Sequence, residues 1–311
     1  MPSRYIRFVL LLELAAYLAI GYWLHFLYGW SYAWLAALAI AVALLGRLAM
    51  VMFSTSLGHF AGAPRPSEHH IGVGVAAALV YREWCAVLAN NFVYLPWHEY
   101  AMRRDPDLAP TNNVPVVLVH GYFSNRGSFR ALVLDLEGHG VAPLFTPNFS
   151  AAFATIEDFV AELHREIERI AAATEQPEMI LVCHSMGGLA ARAYLCAYGN
   201  ARVKKLITVS SPHHGTVHAR LGAGANARQM HRGSKFLVEL CEKEAQRRPQ
   251  CGVTSIYSTH DNLVAPQDTS RLAWANNVAL TGLGHLDILR SRRLAEVLLE
   301  ELREAGVATR P

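Results

Sequence analysis

The chain has 311 residues, of which 52% are hydrophobic, and 28 lysines and arginines stand against 25 aspartates and glutamates. The net charge of +3 is small and scattered, which excludes the dense basic surface of a nucleic-acid-binding protein. The hydrophobic excess lies near the amino terminus, so the length accommodates one large α/β domain and a separate apolar appendage.

Two long apolar segments come first, Tyr5–Tyr28 and Trp30–Phe53. Each exceeds the roughly 20 residues needed to cross a bilayer. Aromatic residues typical of a membrane–water interface surround the turn between them: Tyr22, Trp23, Tyr28, Trp30, Tyr32 and Trp34. The first segment is too long for a cleaved signal peptide and lacks its small-residue exit. Residues 1–57 are therefore predicted to form a retained transmembrane hairpin.

Few charges decide how this hairpin is oriented. Arg4 and Arg7 precede the first segment, Arg47 lies near the end of the second, and the turn has no lysine or arginine. The positive-inside rule then favours a cytoplasmic body at a bacterial inner membrane; a single crossing would make the body periplasmic. Glu13 is expected to face the partner helix, and Arg47 to reach toward the interface.

Residues 58–113 are predicted to be a linker with a membrane-proximal helix. Gly62–His70 contains prolines, and Ile71–Phe92 is an apolar helical stretch interrupted by Arg82 and Glu83. That helix is expected to pack on the body or to lie on the membrane surface. His69 and His70 lack further metal ligands nearby and do not predict a metal site.

From residue 114 onward, strand and helix patterns alternate. Short apolar runs predict strands at Val114–Val119, Ala142–Phe145, Met179–Cys183, Lys205–Val209, Val253–Tyr257 and Val278–Thr281. Helical patterns lie between or after them at Ser128–Glu137, Thr155–Ala173, Met186–Tyr198 and Ser291–Glu304. This order predicts a mostly parallel, doubly wound sheet with helices on both faces, and a ligand site at the carboxyl ends of the strands.

The run LVCHSMGGLA places Ser185 at such a strand end, directly before a predicted helix. A sharp strand-to-helix turn exposes a serine hydroxyl for nucleophilic attack and requires small neighbours, which Gly187 and Gly188 supply. Cys183 replaces the first glycine of the usual G-x-S-x-G pattern. Alone, this turn is only a weak indication of catalysis.

The run PVVLVHGYFSNRGSF adds a strand that ends at His120 and Gly121. The loop after such a strand can supply one backbone N–H to an oxyanion, and the residue after the serine a second. Tyr122 and Met186 are the predicted donors. His120, immediately before the glycine, is predicted to shape the loop rather than to act as the base.

A base and its orienting acid are expected at the ends of later strands. Asp261 follows VTSIYSTH and His285 follows VALTGLG, in the order serine, acid, histidine. Asp268 and Asp287 are the competing acids. Each residue alone has an ordinary structural explanation, but the set predicts a Ser185–His285–Asp261 triad.

Residues 114–302, and in particular VPVVLVHGY, CHSMGGLAAR, VSSPHHGT, STHDNLVAP and GLGHLDIL, resemble the α/β-hydrolase superfamily and bacterial triacylglycerol lipases and esterases within it. The resemblance implies an α/β-hydrolase fold over residues 114–311. It also implies Ser185 as nucleophile, His285 as base, Asp261 as orienter, and the amides of Tyr122 and Met186 as oxyanion hole. No cofactor is expected, and His213 and His214 are expected to serve a structural loop rather than a metal.

Residues 216–250 are the expected lid, with a flexible LGAGANA followed by an amphipathic Lys235–Glu244. A covered apolar site beside a membrane favours a serine lipase or esterase acting on glycerolipids or lysophospholipids. A membrane acyltransferase with the same triad and a catalytically idle scaffold remain the alternatives. Cys241 and Cys251 can pair across a loop in an oxidising compartment, although free thiols are the more ordinary expectation.

Overall fold

The computed structural model describes residues 2–62, 66–150 and 152–310. Part of the predicted linker, residues 63–65, lies outside the described residues. The protein consists of an amino-terminal helical hairpin, a helix that joins it to the body, and a body built on one parallel sheet.

The hairpin consists of α1 (Pro2–Tyr28) and α2 (Tyr32–Phe60). The helices cover the predicted spans except for Trp30 and Ser31, which precede α2. Their large apolar side chains face outward, among them Leu18, Phe26 and Leu45. Soluble proteins rarely expose so large a contiguous apolar surface to water. Glu13 faces the partner helix, as expected, and both of its carboxylate oxygens accept hydrogen bonds from Arg47 of α2, at 2.5 and 2.6 Å.

A third helix, α3 (Val73–Ala89), continues as one π-helical segment, Asn90–Tyr94. Among the described residues, three helical stretches could cross a membrane by length and apolar composition: α1, α2 and Val73–Tyr94. The third is different, because it lies between α2 and the body. The indole N–H of Trp84 donates to Leu44 O of α2, while Arg82 and Glu83 bind a loop of the body. The helix therefore packs on the body, one of the two placements expected for it.

In the described part of the body, six parallel strands form one sheet in the order β2-β1-β3-β4-β5-β6. They are β1 (Val116–Val119), β2 (Leu144–Phe145), β3 (Met179–His184), β4 (Val203–Val209), β5 (Gly252–Ser258) and β6 (Asn276–Leu280). The central strands are fully buried because helices cover both faces. The predicted mostly parallel, doubly wound sheet is confirmed, and each predicted strand overlaps an observed one, with bounds that differ by at most two residues at either end.

Two helical layers cover this sheet. The helices after α3 are α4 (His98–Ala101), α5 (Arg130–Gly138), α6 (Ile156–Thr174), α7 (Met186–Tyr198), α8 (Gly224–Gln229), α9 (Lys235–Gln246) and α10 (Arg292–Glu304). One core includes side chains of α6 and α7, and the other includes side chains of α5 and α10. The strand order reverses at β1, so the carboxyl ends of β1 and β3 open onto the crevice where ligands bind in such sheets.

Candidate active site

Ser185 lies at the turn between β3 and α7, with a strained backbone of φ 57° and ψ −126°. The two glycines after it are required by close packing. A Cβ on Gly187 would lie 2.6 Å from Val119 O, and a Cβ on Gly188 would lie 2.2 Å from Ser211 Oγ. Cys183, which replaces the usual glycine, is buried in the sheet. The turn therefore presents the serine without requiring a glycine at position 183.

The structure brings together the three side chains predicted from separate strand ends. Ser185 Oγ lies 3.1 Å from His285 Nε2. The other ring nitrogen, His285 Nδ1, lies 2.9 Å from Asp261 Oδ2 and 3.1 Å from Oδ1. His285 and Asp261 are both buried. This array can transfer the serine proton to a histidine whose orientation is fixed by a carboxylate.

Asp261 is held by its own turn, where Oδ1 accepts the backbone N–H groups of Leu263 and Val264, both at 2.8 Å. The competing acid Asp287 is directed elsewhere, since its Oδ2 accepts Arg82 Nε–H at 3.0 Å. Asp268 lies in the short helix Gln267–Ser270 that follows this turn. Of the three candidate acids, Asp261 is the one that hydrogen-bonds the imidazole.

Charges at the site oppose the effect of burial on the pKa values of His285 and Asp261. Burial would lower the pKa of His285, but the charge of Asp261 and its hydrogen bond outweigh burial and raise that pKa above the usual value. Burial would likewise raise the pKa of Asp261, but the charge of His285 and the hydrogen bonds it accepts hold it below the usual range. The ionised carboxylate therefore stabilises the imidazolium that forms when His285 takes the serine proton.

The expected oxyanion donors border the same serine. A Cβ on Gly121 would lie 2.7 Å from Ser185 Cβ and 3.2 Å from Met186 N, so the loop carrying Tyr122 lies directly against the turn. Met186 is the first residue of α7, and its N–H therefore has no acceptor within the helix. The backbone arrangement can accommodate an oxyanion between the two loops.

Both ring nitrogens of His120, which directly follows β1, are within hydrogen-bonding distance of backbone atoms. Its Nε2 accepts the N–H of Phe149 at 3.2 Å, so Nδ1 carries the proton and faces Gly121 O at 3.1 Å. Burial lowers the pKa of His120 to about 4, which keeps it neutral. The geometry fits the predicted loop-shaping role.

His213 is buried beside Thr208 and Arg192. Over the described ranges, no group of three or more His, Cys, Asp or Glu side chains is arranged to hold a metal ion. Cys241 and Cys251 are both free thiols.

The predicted lid divides into two parts with different attachments. Its first part reaches over the oxyanion loop, where Tyr122 Oη donates to Ala223 O at 2.8 Å and accepts Ala223 N–H at 2.9 Å. Its second part, α9, is fixed to α7 by Arg192 and Glu244, which are fully buried and 2.5 Å apart.

Helices outside the body contact the site in ways that sequence patterns did not predict. Ser54 of α2 accepts a hydrogen bond from Asn262, whose Oδ1 in turn accepts the N–H of His285 at 2.8 Å. Glu83 of α3 accepts the N–H groups of Leu286 and Asp287. Burial raises the pKa of Glu83 to about 7. The one sequence signal for this contact was an Arg–Glu pair within an apolar helix.

A parallel sheet with a serine turn after β3, and a histidine and an aspartate on later strand ends, defines the α/β-hydrolase fold. The family model described as alpha/beta hydrolase fold matches residues 114–233. This match begins just before β1, includes Ser185 and extends to residue 233, within the expected lid at 216–250. The predicted fold is therefore confirmed, and the protein has the fold of the hydrolases in that family.

Curated relatives match part of the chain. A human serine hydrolase-like protein is 27% identical over 129 residues, which are 38% of this chain and 58% of that protein. Triacylglycerol lipase 2 of Saccharomyces cerevisiae is 27% identical over 139 residues, 43% of this chain and 39% of that protein. The chain thus matches less than two thirds of either relative's length, and the similarity supports a lipase- or esterase-like hydrolase in general terms.

Solved structures share the fold at low sequence identity. The mature lipase BlEst2 of Bacillus licheniformis aligns with a TM-score of 0.53 at 15% identity, covering 66% of this chain and 96% of that one. Lipase B of Aspergillus fumigatus aligns with a TM-score of 0.55 at 21% identity, covering 64% and 54%. Neither alignment extends over the full length of this chain.

Proposed function

We propose that this protein is a membrane-anchored serine ester hydrolase that works through an acyl-enzyme. The observation that carries the proposal is the continuous hydrogen-bonded path from Ser185 Oγ through His285 to Asp261. The names of the relatives, a serine hydrolase-like protein and a triacylglycerol lipase, support the same reaction class.

In the proposed mechanism, His285 Nε2 takes the hydroxyl proton as Ser185 Oγ bonds to the ester carbonyl carbon. Asp261 accepts the hydrogen bond from Nδ1–H and stabilises the imidazolium. The amides of Tyr122 and Met186 donate to the oxyanion. The ester bond breaks as His285 returns the proton to the leaving alcohol, and a water activated by the same imidazole releases the carboxylic acid.

Glycerolipids or lysophospholipids are the proposed substrates, because the hairpin would hold the site at a bilayer. Helices of 27 and 29 residues are about 40 Å long, about 10 Å more than the hydrocarbon core. The end of α2 is joined to the loop that follows Asp261, through Ser54 with Asn262 and Gly58 O with Gln267. The triad would therefore lie close to the membrane surface. A bacterial inner membrane with the body on its cytoplasmic side is the favoured location.

Two other functions remain as alternatives. An acyltransferase would use the same acyl-enzyme but pass the acyl group to an alcohol other than water. A catalytically idle scaffold would keep the hairpin and lose the reaction, yet all three triad side chains are in hydrogen-bonding positions here. The intact array favours an enzyme.

The proposed function is tested with detergent-purified protein, a fluorescent alkyl phosphonate and p-nitrophenyl esters of increasing chain length. We expect the wild-type protein and Ser185→Ala to differ completely: the former is labelled and hydrolyses esters, and the latter does neither. Ser150→Ala, an exposed serine bonded to Glu162, serves as the control and should react like the wild type. A wild-type protein that is neither labelled nor active would favour the scaffold, and acyl transfer to an added alcohol in place of hydrolysis would favour the transferase.

A further inference from the structure

The unexpected feature is a buried carboxylate that approaches the catalytic loop from outside the hydrolase domain. Glu83 of α3 is 0% exposed. Its Oε2 accepts the N–H of Asp287 at 2.8 Å and that of Leu286 at 3.0 Å, and its Oε1 lies 3.1 Å from the same Leu286 nitrogen. These are the first two amides after His285.

The loop is closely fitted to this carboxylate. A Cβ on Gly284, the residue before His285, would lie 2.3 Å from Glu83 Oε2. Next to Glu83, Arg82 donates to Gly282 O at 2.7 Å and pairs with Asp287 at 3.0 Å. Two adjacent residues of α3 therefore hold the loop on both sides of His285.

A carboxylate in a buried position is costly unless hydrogen bonds or an opposite charge compensate it. Backbone amides satisfy Glu83 in part, while the neighbouring Arg82 is directed to Asp287. Burial raises the pKa of Glu83 to about 7, so the carboxylate is mostly ionised only above that pH. Its charge then favours the protonated form of His285, and the imidazolium of His285 is a further compensating charge. That charge arises when His285 takes the proton from Ser185.

We propose that Glu83 is a positioning residue for the reaction, holding the His285 loop in register through its hydrogen bonds to the next two amides and stabilising the imidazolium that forms there. The inference rests on the proposed function, since it requires His285 to act as the base. If Glu83 has this role, α3 contributes to the site although it precedes the predicted domain boundary at residue 114.

Other groups near His285 also affect its pKa, and a test must distinguish their effect from that of Glu83. Asp261 bonds its Nδ1, and His184 and His218 also affect it electrostatically. Burial lowers the pKa of His184 to about 3 and lowers that of His218, so both stay neutral where His285 titrates. Arg82 and Asp287 pair with each other beside Glu83. Loss of the Glu83 charge should therefore lower the pKa of His285.

The test compares Glu83→Gln, Glu83→Ala and Glu83→Asp with Trp84→Phe in the full-length protein in detergent. We expect Glu83→Gln to reduce kcat about tenfold, the loss of one charged hydrogen bond, with little change in KM. Its acid limb of kcat/KM should move to lower pH, and Glu83→Asp, which keeps the charge, should restore part of that shift. Trp84→Phe removes a neighbouring hydrogen bond to α2 and should retain the wild-type pH profile.

Histidine hydrogen–deuterium exchange read by mass spectrometry reports the pKa of His285 without any turnover. A lower His285 pKa in Glu83→Gln supports the proposal, even for a preparation with weak activity. The proposal would be overturned if kcat, the acid limb of kcat/KM and the His285 pKa were unchanged in Glu83→Gln and Glu83→Ala. It would also be overturned if all four variants lost kcat equally and the acid limb of kcat/KM did not shift. Failure of the wild-type protein to hydrolyse esters would instead contradict the proposed function.

Discussion

At the scale of single residues, the conformation of Ser185 is the feature that most needs support. A positive φ at a residue other than glycine costs about 1–3 kcal/mol. Hydrogen bonds on both sides maintain it: Ser185 N–H donates to Val209 O at 2.9 Å, and Gly188 N–H donates to Ser185 O at 3.0 Å. The strained turn directs the hydroxyl toward His285 rather than into the helix.

Substitution of Asp261 tests how the histidine is held. Asp261→Asn removes the charge that raises the pKa of His285 and favours the wrong ring tautomer. We expect kcat to fall about 10⁴-fold, as when a triad aspartate is replaced by asparagine. In the wild type, kcat/KM should fall as pH drops through a His285 pKa above the usual value; any residual activity of the variant should persist to lower pH. Steady-state kinetics between pH 5 and 9, about the range in which histidine titrates, would show both effects. A variant with the wild-type acid limb would exclude this role for Asp261.

Gly121 offers a steric test of the oxyanion loop. Gly121→Ala would place a methyl group 2.7 Å from Ser185 Cβ and 2.9 Å from His184 O, so the loop carrying Tyr122 must move. We expect kcat to fall about 10²- to 10³-fold, the usual effect of losing one oxyanion donor. Gly138→Ala is the matched control, because no atom lies within 4 Å of its added Cβ. Equal kcat values for the two variants would contradict the proposed position of the oxyanion hole.

At the scale of elements, α7 joins the serine turn to the expected lid. Its Arg192 is fully buried and binds both carboxylate oxygens of Glu244 on α9, and it also donates to His213 O. Half of the predicted lid is thus attached to the helix that begins directly after Ser185. Amphipathic periodicity alone, which predicted α9 correctly, does not reveal this buried ion pair.

Breaking that pair should destabilise the body. Glu244→Ala leaves the Arg192 charge buried without its partner, and we expect the free energy of unfolding to fall by about 3–5 kcal/mol. Urea denaturation in detergent, followed by tryptophan fluorescence, would measure the change. Glu296→Ala, which removes the exposed i,i+4 pair with Arg292, should have little effect. Equal stability of the two variants would show that α9 is not fixed by this contact.

At the scale of the whole molecule, the hairpin and the hydrolase domain meet at the site rather than at a remote linker. The amino-terminal end of α1 also contacts the body, since Arg7 bonds Pro96 O and Glu99, and Tyr5 packs edge-on against Phe153. Phe153 in turn packs against Phe123, the neighbour of Tyr122. Both helix ends therefore border loops that carry proposed catalytic groups.

The orientation in the membrane can be measured with fusions to the carboxyl terminus. Two spans with the arginine distribution seen here should leave that terminus in the cytoplasm. We expect a green fluorescent protein fusion expressed in bacteria to fluoresce and an alkaline phosphatase fusion to be inactive. Membrane fractions should contain the full-length fusion in both cases. The opposite pattern would indicate a single crossing and a periplasmic body.

The positions of the strands and the order of the candidate catalytic residues could be predicted from the amino-acid pattern. Buried parallel strands are continuous apolar runs, so β1 to β6 could be located, and Ser185, Asp261 and His285 could be identified because each follows such a run. Local patterns also indicated the hairpin, since the length of an apolar helix is a property of the segment itself.

Which side chains contact each other at the site depends on how the elements pack in the folded chain. The choice of Asp261 over Asp287 depended on two turns approaching within hydrogen-bonding distance, and the fit of Glu83 against Gly284 depended on how α3 packs on the body. Such contacts join residues far apart in the chain, and no local periodicity encodes them. Hydrophobic pattern is a property of a segment, whereas the compensation of a buried charge is a property of its surroundings in the folded chain.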